Sequence, residues 1–183
     1  MSGLDPRAPL VLDTHELGRR PGSQRQVSRT VPAPADLGID VLHVPEGSPV
    51  DLDLRLEAVM EGVLVTGSAH ADLEGECARC LEPITDEVDA DFQELFEYDD
   101  RDHGREGDLD DDVRRLEGDL LDLEPLLRDA VVIELPFQPL CTDDCPGLCP
   151  ECGARLADDP DHAHDAAVDP RWAGLAALQQ DED

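Results

Sequence analysis

Lysine is absent from this chain of 183 residues, whose 14 basic residues are all arginines, against 45 aspartates and glutamates. The formal net charge of −31 argues against nucleic-acid binding by the whole surface, because such binding relies on basic side chains that displace counterions. A basic protein partner explains the charge more easily. In a second interpretation, the acidic bias reflects only solubility and host composition, so charge by itself identifies no partner.

Aromatic residues and long apolar runs are also scarce. Aromatics make up 3% of the chain, so a core has to be assembled from aliphatic side chains, which makes a metal cross-link more useful. No run approaches the roughly 20 apolar residues that span a bilayer, and the N-terminus lacks the pattern of a secretory signal. We therefore expect a cytoplasmic protein with no membrane partner.

The middle of the chain has the pattern of a β-sheet. Residues 50–57 alternate strictly between apolar and charged, which predicts a strand with one buried face. Gly67 and Gly75 interrupt a later apolar stretch and suit the curvature of a twisted antiparallel sheet or partial barrel. The predicted strands cover residues 39–44, 50–57, 63–77 and 84–98, with a short strand at 9–13 and an extended segment at 24–31.

Residues 119–134 predict an amphipathic helix, because leucines recur at steps of three and four. Pro125 leaves two alternatives: the residues before it form a separate turn, or it occupies the first turn of a helix capped near 123–124. A second short helix is predicted to follow Asp169-Pro170 and to end at Leu178.

These patterns predict an α+β fold: an antiparallel β-rich sheet or partial barrel with one or two helices and a small zinc-binding C-terminal unit. We divide the chain into a partly extended N-terminal arm (1–36), a β-rich core (37–98), an acidic flexible loop (99–118), a helix with an extended connection (119–140), and a cysteine-rich zinc unit with the C-terminal helix (141–183).

The six cysteines are confined to two places. Cys77 and Cys80 form one pair, and Cys141, Cys145, Cys149 and Cys152 cluster further on, with Gly153 directly after the last. A CPxCG sequence is typical of zinc knuckles, in which tight turns present pairs of thiolates. Structural disulfides are rare in a reducing compartment, so these spacings favour metal ligands.

His162 and His164 bring the candidate ligands to eight, enough for two tetrahedral sites. The sequence leaves the division open. The simplest choice is one site made by the four clustered thiols. Alternatively, one metal ion is bound by Cys149, Cys152, His162 and His164. A second site then consists of Cys141, Cys145, Cys77 and Cys80. His162 and His164 also have several aspartates as sequence neighbours, a composition that equally fits a solvated loop without metal.

A catalytic role is not favoured. A catalytic zinc keeps an open position, whereas thiolate-rich local ligands favour closed structural sites. A thiol oxidoreductase places its CxxC at the head of a helix, but Cys80 is followed by Leu-Glu-Pro and a predicted strand. The chain has no phosphate-binding glycine loop and no nucleophile elbow, so we predict neither catalytic residues nor a small-molecule substrate.

Several motifs resemble the YceD family of large ribosomal RNA subunit accumulation proteins, in this order: Cys77-Ala-Arg-Cys80-Leu81-Glu82-Pro83, Phe92, the cluster from Leu140 to Leu156, and Asp169-Pro170-Arg171-Trp172. The resemblance implies a bacterial factor that supports accumulation of 23S ribosomal RNA. Many relatives carry Cys-x-Cys in place of His162-Ala-His164, which implies that these histidines are ligands. Some relatives keep only the first CxxC, which implies that the second cluster is not essential to the family's general role.

The function expected from charge and resemblance together is a non-enzymatic ribosome-biogenesis factor that binds a basic ribosomal protein or assembly factor. Ribosomal RNA would then be contacted indirectly or through a local arginine patch. One alternative is direct RNA binding by that patch in the N-terminal arm, composed of Arg19, Arg20, Arg25 and Arg29. The other alternative is a generic zinc-dependent protein-interaction module outside ribosome biology.

Overall fold

A computed structural model describes residues 3–98 and 113–164. Within them lie eight strands and one helix: β1 (Val11–Asp13), β2 (Gln24–Pro32), β3 (Leu37–Ile39), β4 (Leu42–Val44), β5 (Pro49–Ala58), β6 (Gly62–Glu76), β7 (Pro83–Glu97), β8 (Leu120–Asp122) and α1 (Glu124–Glu134). Every strand pairing is antiparallel. The expected antiparallel β-rich centre is therefore confirmed, together with one short helix.

Six of the strands form one sheet around the long strand β6. One edge of β6 pairs with β5 and then with β4, and its other edge pairs with β7 over its whole length. β2 extends the sheet beyond β5, and β3 extends it beyond β4. A separate two-stranded ribbon joins β1 to β8. The extended segment predicted at 24–31 is thus a paired strand at the edge of the sheet.

The alternating apolar and charged residues of β5 give the strand one buried and one exposed face, as predicted. Its apolar side chains are buried from Val50 to Ala58, while Asp51, Asp53 and Arg55 between them are exposed. Cross-strand partners share a face, so Leu52 and Ala69 of β6 both point into the core. The predicted strands at 63–77 and 84–98 correspond to β6 and β7, which the Cys77–Cys80 turn connects.

Two glycines of β6 allow neighbouring strands to approach closely. A Cβ at Gly67 would lie 2.6 Å from the carbonyl oxygen of Asp53 in β5. A Cβ at Gly75 would lie 2.2 Å from the carbonyl oxygen of Val41, beside β4. A side chain at either position would push the strands apart, which explains why glycine interrupts an otherwise apolar run.

The prediction of one strand at 39–44 is wrong. Residues 37–44 form a hairpin in which β3 pairs with β4, and Asp40 and Val41 make the turn. An apolar run that contains one aspartate has the same pattern whether it is straight or folded back. Burial of Leu37 and Leu42 against the core selects the hairpin.

The helix α1 begins at Glu124 with Pro125 in its first turn, which is the second of the two predicted alternatives. The residues just before it form the strand β8 rather than a helical turn. Leu126, Leu127, Ala130 and Val131 of α1 are buried, and the helix packs on β7 and β3. Arg128 also donates to the carbonyl oxygens of Ala35 and Asp36, which attaches the helix to the start of β3.

One continuous core lies between the inner face of the sheet, α1 and the ribbon of β1 and β8. The Cys77–Cys80 turn lies at one end of the sheet and belongs to a second, smaller buried cluster. Most of the predicted acidic loop and the predicted C-terminal helix lie outside the described residues. The division of the chain into five segments stays a prediction.

Candidate metal centres

The turn after β6 presents the first pair of thiols. The amide of Cys77 donates to the carbonyl oxygen of Glu82, and the amide of Leu81 donates to that of Cys77. Leu81 has a φ of 61°, a left-handed conformation that non-glycine residues adopt rarely. These bonds make a tight knuckle that points the sulfurs of Cys77 and Cys80 to the same side.

Four cysteines converge at this knuckle. The Sγ atoms of Cys77 and Cys145 are 3.7 Å apart, and those of Cys80 and Cys141 are 3.6 Å apart. The four ligand atoms lie within 4.8 Å of one another. Cys77, Cys80 and Cys145 are buried, whereas Cys141 is exposed. We refer to Cys77, Cys80, Cys141 and Cys145 as group 1.

Backbone and side-chain contacts hold the distant half of group 1 in place. The amide of Ala78 donates to the carbonyl oxygen of Pro139, just before Cys141. The Nη1 atom of Arg79 donates to the carbonyl oxygen of Cys145 at 3.0 Å. The Cys77–Cys80 knuckle therefore receives the cysteine-rich segment through its own backbone and through Arg79.

Group 2 consists of Cys149, Cys152, His162 and His164, whose ligand atoms also lie within 4.8 Å of one another. Cys149 Sγ is 3.3 Å from His164 Nε2, and Cys152 Sγ is 3.3 Å from His162 Nε2. The two Nε2 atoms are 2.9 Å apart. All four donors therefore face a common point.

A second knuckle positions the thiols of group 2. The amide of Cys149 donates to the carbonyl oxygen of Ala154, and that of Gly153 donates to the carbonyl oxygen of Cys149. Gly153 has a φ of 72° and follows the second cysteine of its CxxC, as Leu81 does in the first knuckle. The two knuckles thus have the same backbone turn, although only one carries glycine at the left-handed position.

Backbone hydrogen bonds favour one thiolate in each group. In group 1, although a backbone hydrogen bond from Glu82 opposes the shift, burial and the neighbouring thiols raise the pKa of Cys80 to about 12. Burial disfavours the charged form of Cys77, but hydrogen bonds from the backbone of Cys141, Cys80 and Arg79 lower its pKa to about 6. Hydrogen bonds from the backbone of Cys152 and Glu151 lower the pKa of Cys149 to about 6 as well. A thiolate rather than a thiol is the form that binds a metal ion.

Both groups fit a tetrahedral ion by geometry and by donor type. With metal–sulfur bonds of about 2.3 Å, tetrahedral ligands place sulfurs about 3.8 Å apart. The sulfur pairs of group 1 are close to that spacing, and a disulfide would require about 2.05 Å. Thiolate and imidazole donors suit soft or borderline metals rather than calcium or magnesium. Each group could therefore hold one metal ion.

The fold brings the eight candidate ligands together in two groups of four. This grouping is the second of the two alternatives that the sequence left open. The simplest division, one site made by the four clustered thiols, is not the observed arrangement. Cys141 and Cys145 face the knuckle of Cys77 and Cys80, while Cys149 and Cys152 face the histidines. The reason is the hairpin that pairs Leu148 with Arg155 and turns the second CxxC away from group 1.

The contacts that join the two groups could not be predicted from the sequence. Arg155 forms an ion pair with Glu82 at 3.2 Å, which links the hairpin of group 2 to the knuckle of group 1. Gly147, with a φ of 80°, lies against the backbone of Arg79, where a Cβ would be 3.1 Å from the carbonyl oxygen. The Pro-Gly pair signalled a turn, but nothing in the sequence signalled that Arg155 reaches Glu82.

In the described residues, no helix combines the length and apolar character that spanning a bilayer requires.

Comparison with known proteins gives consistent matches. The family model described as "Large ribosomal RNA subunit accumulation protein YceD" matches residues 65–179. The uncharacterized protein Rv2926c of Mycobacterium tuberculosis is 46% identical over 171 residues, which cover 93% of this chain and 82% of the relative. The uncharacterized protein YlbN of Bacillus subtilis is 26% identical over 137 residues, covering 74% and 77%. No solved structure matches the chain significantly.

An antiparallel sheet bearing two cysteine-rich ligand groups defines the class as a small β protein with candidate metal centres. The matched residues include most of β6, the whole of β7 and all eight candidate ligands. This chain belongs to the YceD family, as its motifs indicated. The family description names a role in the accumulation of large-subunit ribosomal RNA and names no reaction.

Proposed function

We propose that this protein is a non-enzymatic ribosome-biogenesis factor that supports accumulation of 23S ribosomal RNA in the cytoplasm by binding a basic ribosomal protein or assembly factor. Membership of the YceD family is the observation that carries the ribosomal role. The charge of −31 and its placement on the sheet support the choice of a basic protein as the direct partner.

The outward face of the sheet is the proposed partner surface. Register places Asp51, His70 and Asp89 in one row across β5, β6 and β7, and Asp53, Ser68 and Asp91 in the next. Arg55 is the one arginine on this face of the three strands. A field of one sign steers an oppositely charged partner and raises its association rate. The exposed carboxylates of this face are those of Asp51, Asp53, Asp72, Glu74, Glu76, Glu87, Asp89 and Asp91.

Direct RNA binding by an N-terminal arginine patch has less support. Arg25 and Arg29 pair across from Leu56 and Leu52 and therefore point to the inner face of the sheet. Arg25 forms an ion pair with Glu16 at 3.3 Å, and Arg19 lies over the ring of Tyr98. Because Arg25 and Arg29 face the inner side of the sheet, and Arg19 and Arg25 already contact other side chains, this patch is a poor surface for a phosphate backbone.

We also propose that groups 1 and 2 hold one structural zinc ion each. Four protein ligands close each site, leaving no position for a substrate, and thiolate with imidazole is a common donor set for structural zinc. Metal analysis of protein purified under reducing conditions tests this proposal. Two equivalents of zinc are expected, and fully folded protein without metal would contradict the proposal.

Depletion followed by complementation tests the ribosomal role. Depletion should lower the ratio of 23S to 16S ribosomal RNA, and the wild-type chain should restore it. An unchanged ratio would reject the role and favour a generic interaction module.

The partner surface is tested separately with the double variant Asp89→Asn/Asp91→Asn. The control is Glu46→Gln/Glu61→Gln, which removes the same charge from two exposed turns.

The direct partner is identified by co-purification at moderate salt. We expect a basic ribosomal protein or assembly factor to co-purify. The Glu46→Gln/Glu61→Gln variant should retain this partner, and the Asp89→Asn/Asp91→Asn variant should recover several-fold less of it. Equal retention by both variants would reject the outward face as the binding surface. Recovery of ribosomal RNA with no protein would instead support direct RNA binding.

A further inference from the structure

The strand β7 forms one edge of the main sheet. It pairs with β6 along its whole length, and the only described residue that pairs with its other edge is Arg115, in a single bridge to Glu97. The register between β6 and β7 is constant from Pro83 to Glu97, so no bulge interrupts the edge. An extended segment of another chain would therefore meet a regular strand.

The hydrogen bonds at the end of β7 show which backbone groups face its open edge. The amide of Glu97 donates to the carbonyl oxygen of Arg114, on the side away from β6. The amide of Tyr98 donates to the carbonyl oxygen of Glu61, on the side of β6. Because backbone groups alternate along a strand, the odd-numbered residues of β7 direct their N–H and C=O groups to the open edge. We refer to four of them, all exposed, as the edge residues: Thr85, Glu87, Asp89 and Asp91.

Most backbone groups of the edge residues have no partner in the described part of the chain. None of their carbonyl oxygens accepts a hydrogen bond from a described residue. Among their amides, that of Glu87 donates to the carboxylate of Asp86, and the others make no such bond with described residues. Within residues 3–98 and 113–164, the edge therefore offers unpaired donors and acceptors in the alternating pattern that strand addition uses.

The side chains of the edge residues determine which chain can pair there. They lie on the outward face, so side chains of an added strand would stand directly opposite them. Like charges in opposite positions destabilise a sheet, so the carboxylates disfavour a second copy of this acidic chain. Asp89 contacts His70, but its side chain is 84% exposed and remains accessible. Cations at alternate positions of an added strand would complement these carboxylates.

The other open edges of the sheet lack this complementarity. Just beyond β2, the amide of Ala33 donates to the carbonyl oxygen of Ser48 on the side of β5, so the even-numbered residues of β2 face its open edge. Their side chains carry no charge: Gln24, Gln26, Ser28, Thr30 and Pro32. The strand β3 has only three residues, which limits the number of main-chain bonds that it can offer. Length and charge together therefore select β7.

We propose that β7 binds an extended basic segment of the partner as an additional strand, with arginine or lysine at every second position opposite Glu87, Asp89 and Asp91. This inference rests on the proposed function, because it takes a basic protein as the partner and specifies how that partner binds. Main-chain hydrogen bonds along the edge supply affinity, and the carboxylates select the charge of the segment. A basic helix or folded surface would contact the same carboxylates without using the edge. Only strand addition depends on the backbone N–H groups of the partner.

Titration of the full-length, metal-loaded protein with synthetic peptides tests the binding mode by amide NMR shifts. The probe is the heptapeptide Val-Arg-Val-Arg-Val-Arg-Val, capped at both ends. It should bind saturably and shift the amides of the edge residues. The same peptide with glutamate in place of arginine should not bind, because its charges would oppose those of β7.

N-methylation of alternate peptide residues separates strand addition from charge attraction, because it removes N–H donors and keeps every charge. Only one alternate set of N–H groups can face β7. Methylation of that set should weaken binding at least about tenfold, since several hydrogen bonds are lost, and methylation of the other set should leave affinity within about twofold. Loss with methylated arginines indicates an antiparallel added strand, and loss with methylated valines a parallel one. Equal affinities of the two methylated peptides, or no binding of the parent peptide, would overturn the proposal.

Variants of the protein test the same edge from the other side. Asp89→Pro removes one N–H group from the open edge, where strands tolerate proline, and should weaken peptide binding several-fold more than Asp89→Asn, which removes only the charge. Gln26→Pro makes the matched change at the open edge of β2 and should leave affinity unchanged. Equal affinities of Asp89→Pro and Asp89→Asn would count against strand addition. If Asp89→Pro does not fold, the methylated peptides still decide, since they need no variant.

Failure of this inference can be distinguished from failure of the ribosomal role. If the two methylated peptides bind equally but depletion lowers the ratio of 23S to 16S ribosomal RNA, only strand addition is rejected. If strand addition is observed but depletion leaves that ratio unchanged, only the ribosomal role is rejected.

Discussion

The sulfur atoms of Cys77 and Cys145 lie 3.7 Å apart, although 68 residues separate the two cysteines in the chain. A metal ion held by group 1 would therefore close a long loop and attach the cysteine-rich segment to the sheet. The ligands of group 2 lie within residues 149–164 and would close only their own hairpin. Closing the longer loop removes more entropy from the unfolded chain, by about 1 kcal/mol for a fourfold difference in length.

Substitutions at the equivalent positions Leu81 and Gly153 of the two knuckles should have opposite effects on stability. Leu81 is 60% exposed and left-handed, so Leu81→Gly should be neutral or stabilising by up to about 1 kcal/mol, because it relieves backbone strain. Gly153→Leu should destabilise the protein by about 1–2 kcal/mol for the same reason. Chemical denaturation of metal-loaded protein measures both. Destabilisation by Leu81→Gly would show that the Leu81 side chain contributes more than its strained backbone costs.

His70 provides a pH-dependent contribution to stability. A hydrogen bond to Asp89 raises its pKa, and the charges of Asp89, Glu87 and Asp72 act in the same direction. Because the folded-state pKa is above the unfolded value of about 6.5, the contribution is fully present below pH 6.5 and is lost as the pH rises through the folded value. NMR titration should find the raised pKa, and Asp89→Asn should lower it. An unchanged His70 pKa in that variant would reject the assignment.

Arg128 should matter more than an ordinary surface arginine. Its guanidinium contacts Glu124 of its own helix and the carbonyl oxygens of Ala35 and Asp36. Arg128→Ala should cost about 1–2 kcal/mol in the free energy of unfolding, since several charge-assisted bonds between α1 and the start of β3 are lost. Arg55→Ala, which breaks one exposed pair with Glu57, is the control and should cost less than about 1 kcal/mol. Equal losses in both variants would contradict this role for Arg128.

Gly67 should not tolerate a side chain. A Cβ there would lie 2.6 Å from both the carbonyl oxygen of Asp53 and a methyl carbon of Leu54. Gly67→Ala should therefore destabilise the protein by at least about 1–3 kcal/mol, because the backbone of β5 has to move. Gly47→Ala is a useful contrast: it has open space but a φ of 79°, so its cost should be confined to backbone strain. A neutral Gly67→Ala variant would show that β5 and β6 separate easily.

The sheet could be predicted where local pattern and tertiary burial agree. β5 alternates strictly, and its buried face is the apolar one, so its bounds follow closely from the sequence. The hairpin of β3 and β4 could not be predicted, because three-residue strands have too few residues to show a period. The strand β8 was missed because its leucines also fit the helical spacing of the residues that follow.

The eight candidate ligands could be selected from residue type and spacing, but their division into two groups could not be predicted. Spacing along the chain favours grouping Cys141 and Cys145 with Cys149 and Cys152, their neighbours. The observed division depends on the position of the Cys77–Cys80 knuckle at the end of β6 and on the turn at Gly147. Both are properties of the folded chain. Neither has a local sequence signal strong enough to outweigh the short sequence separation of the four clustered cysteines.

The ligand shell of zinc in single-cysteine variants tests the division most directly. X-ray absorption distinguishes zinc–sulfur bonds of about 2.3 Å from zinc–nitrogen bonds of about 2.0 Å. Cys149→Ser should leave one well-occupied site with an all-sulfur shell, that of group 1. Cys77→Ser should instead leave the site of group 2, with equal numbers of sulfur and nitrogen ligands. An all-sulfur shell that persists in Cys77→Ser would contradict the division and restore a site made by Cys141, Cys145, Cys149 and Cys152.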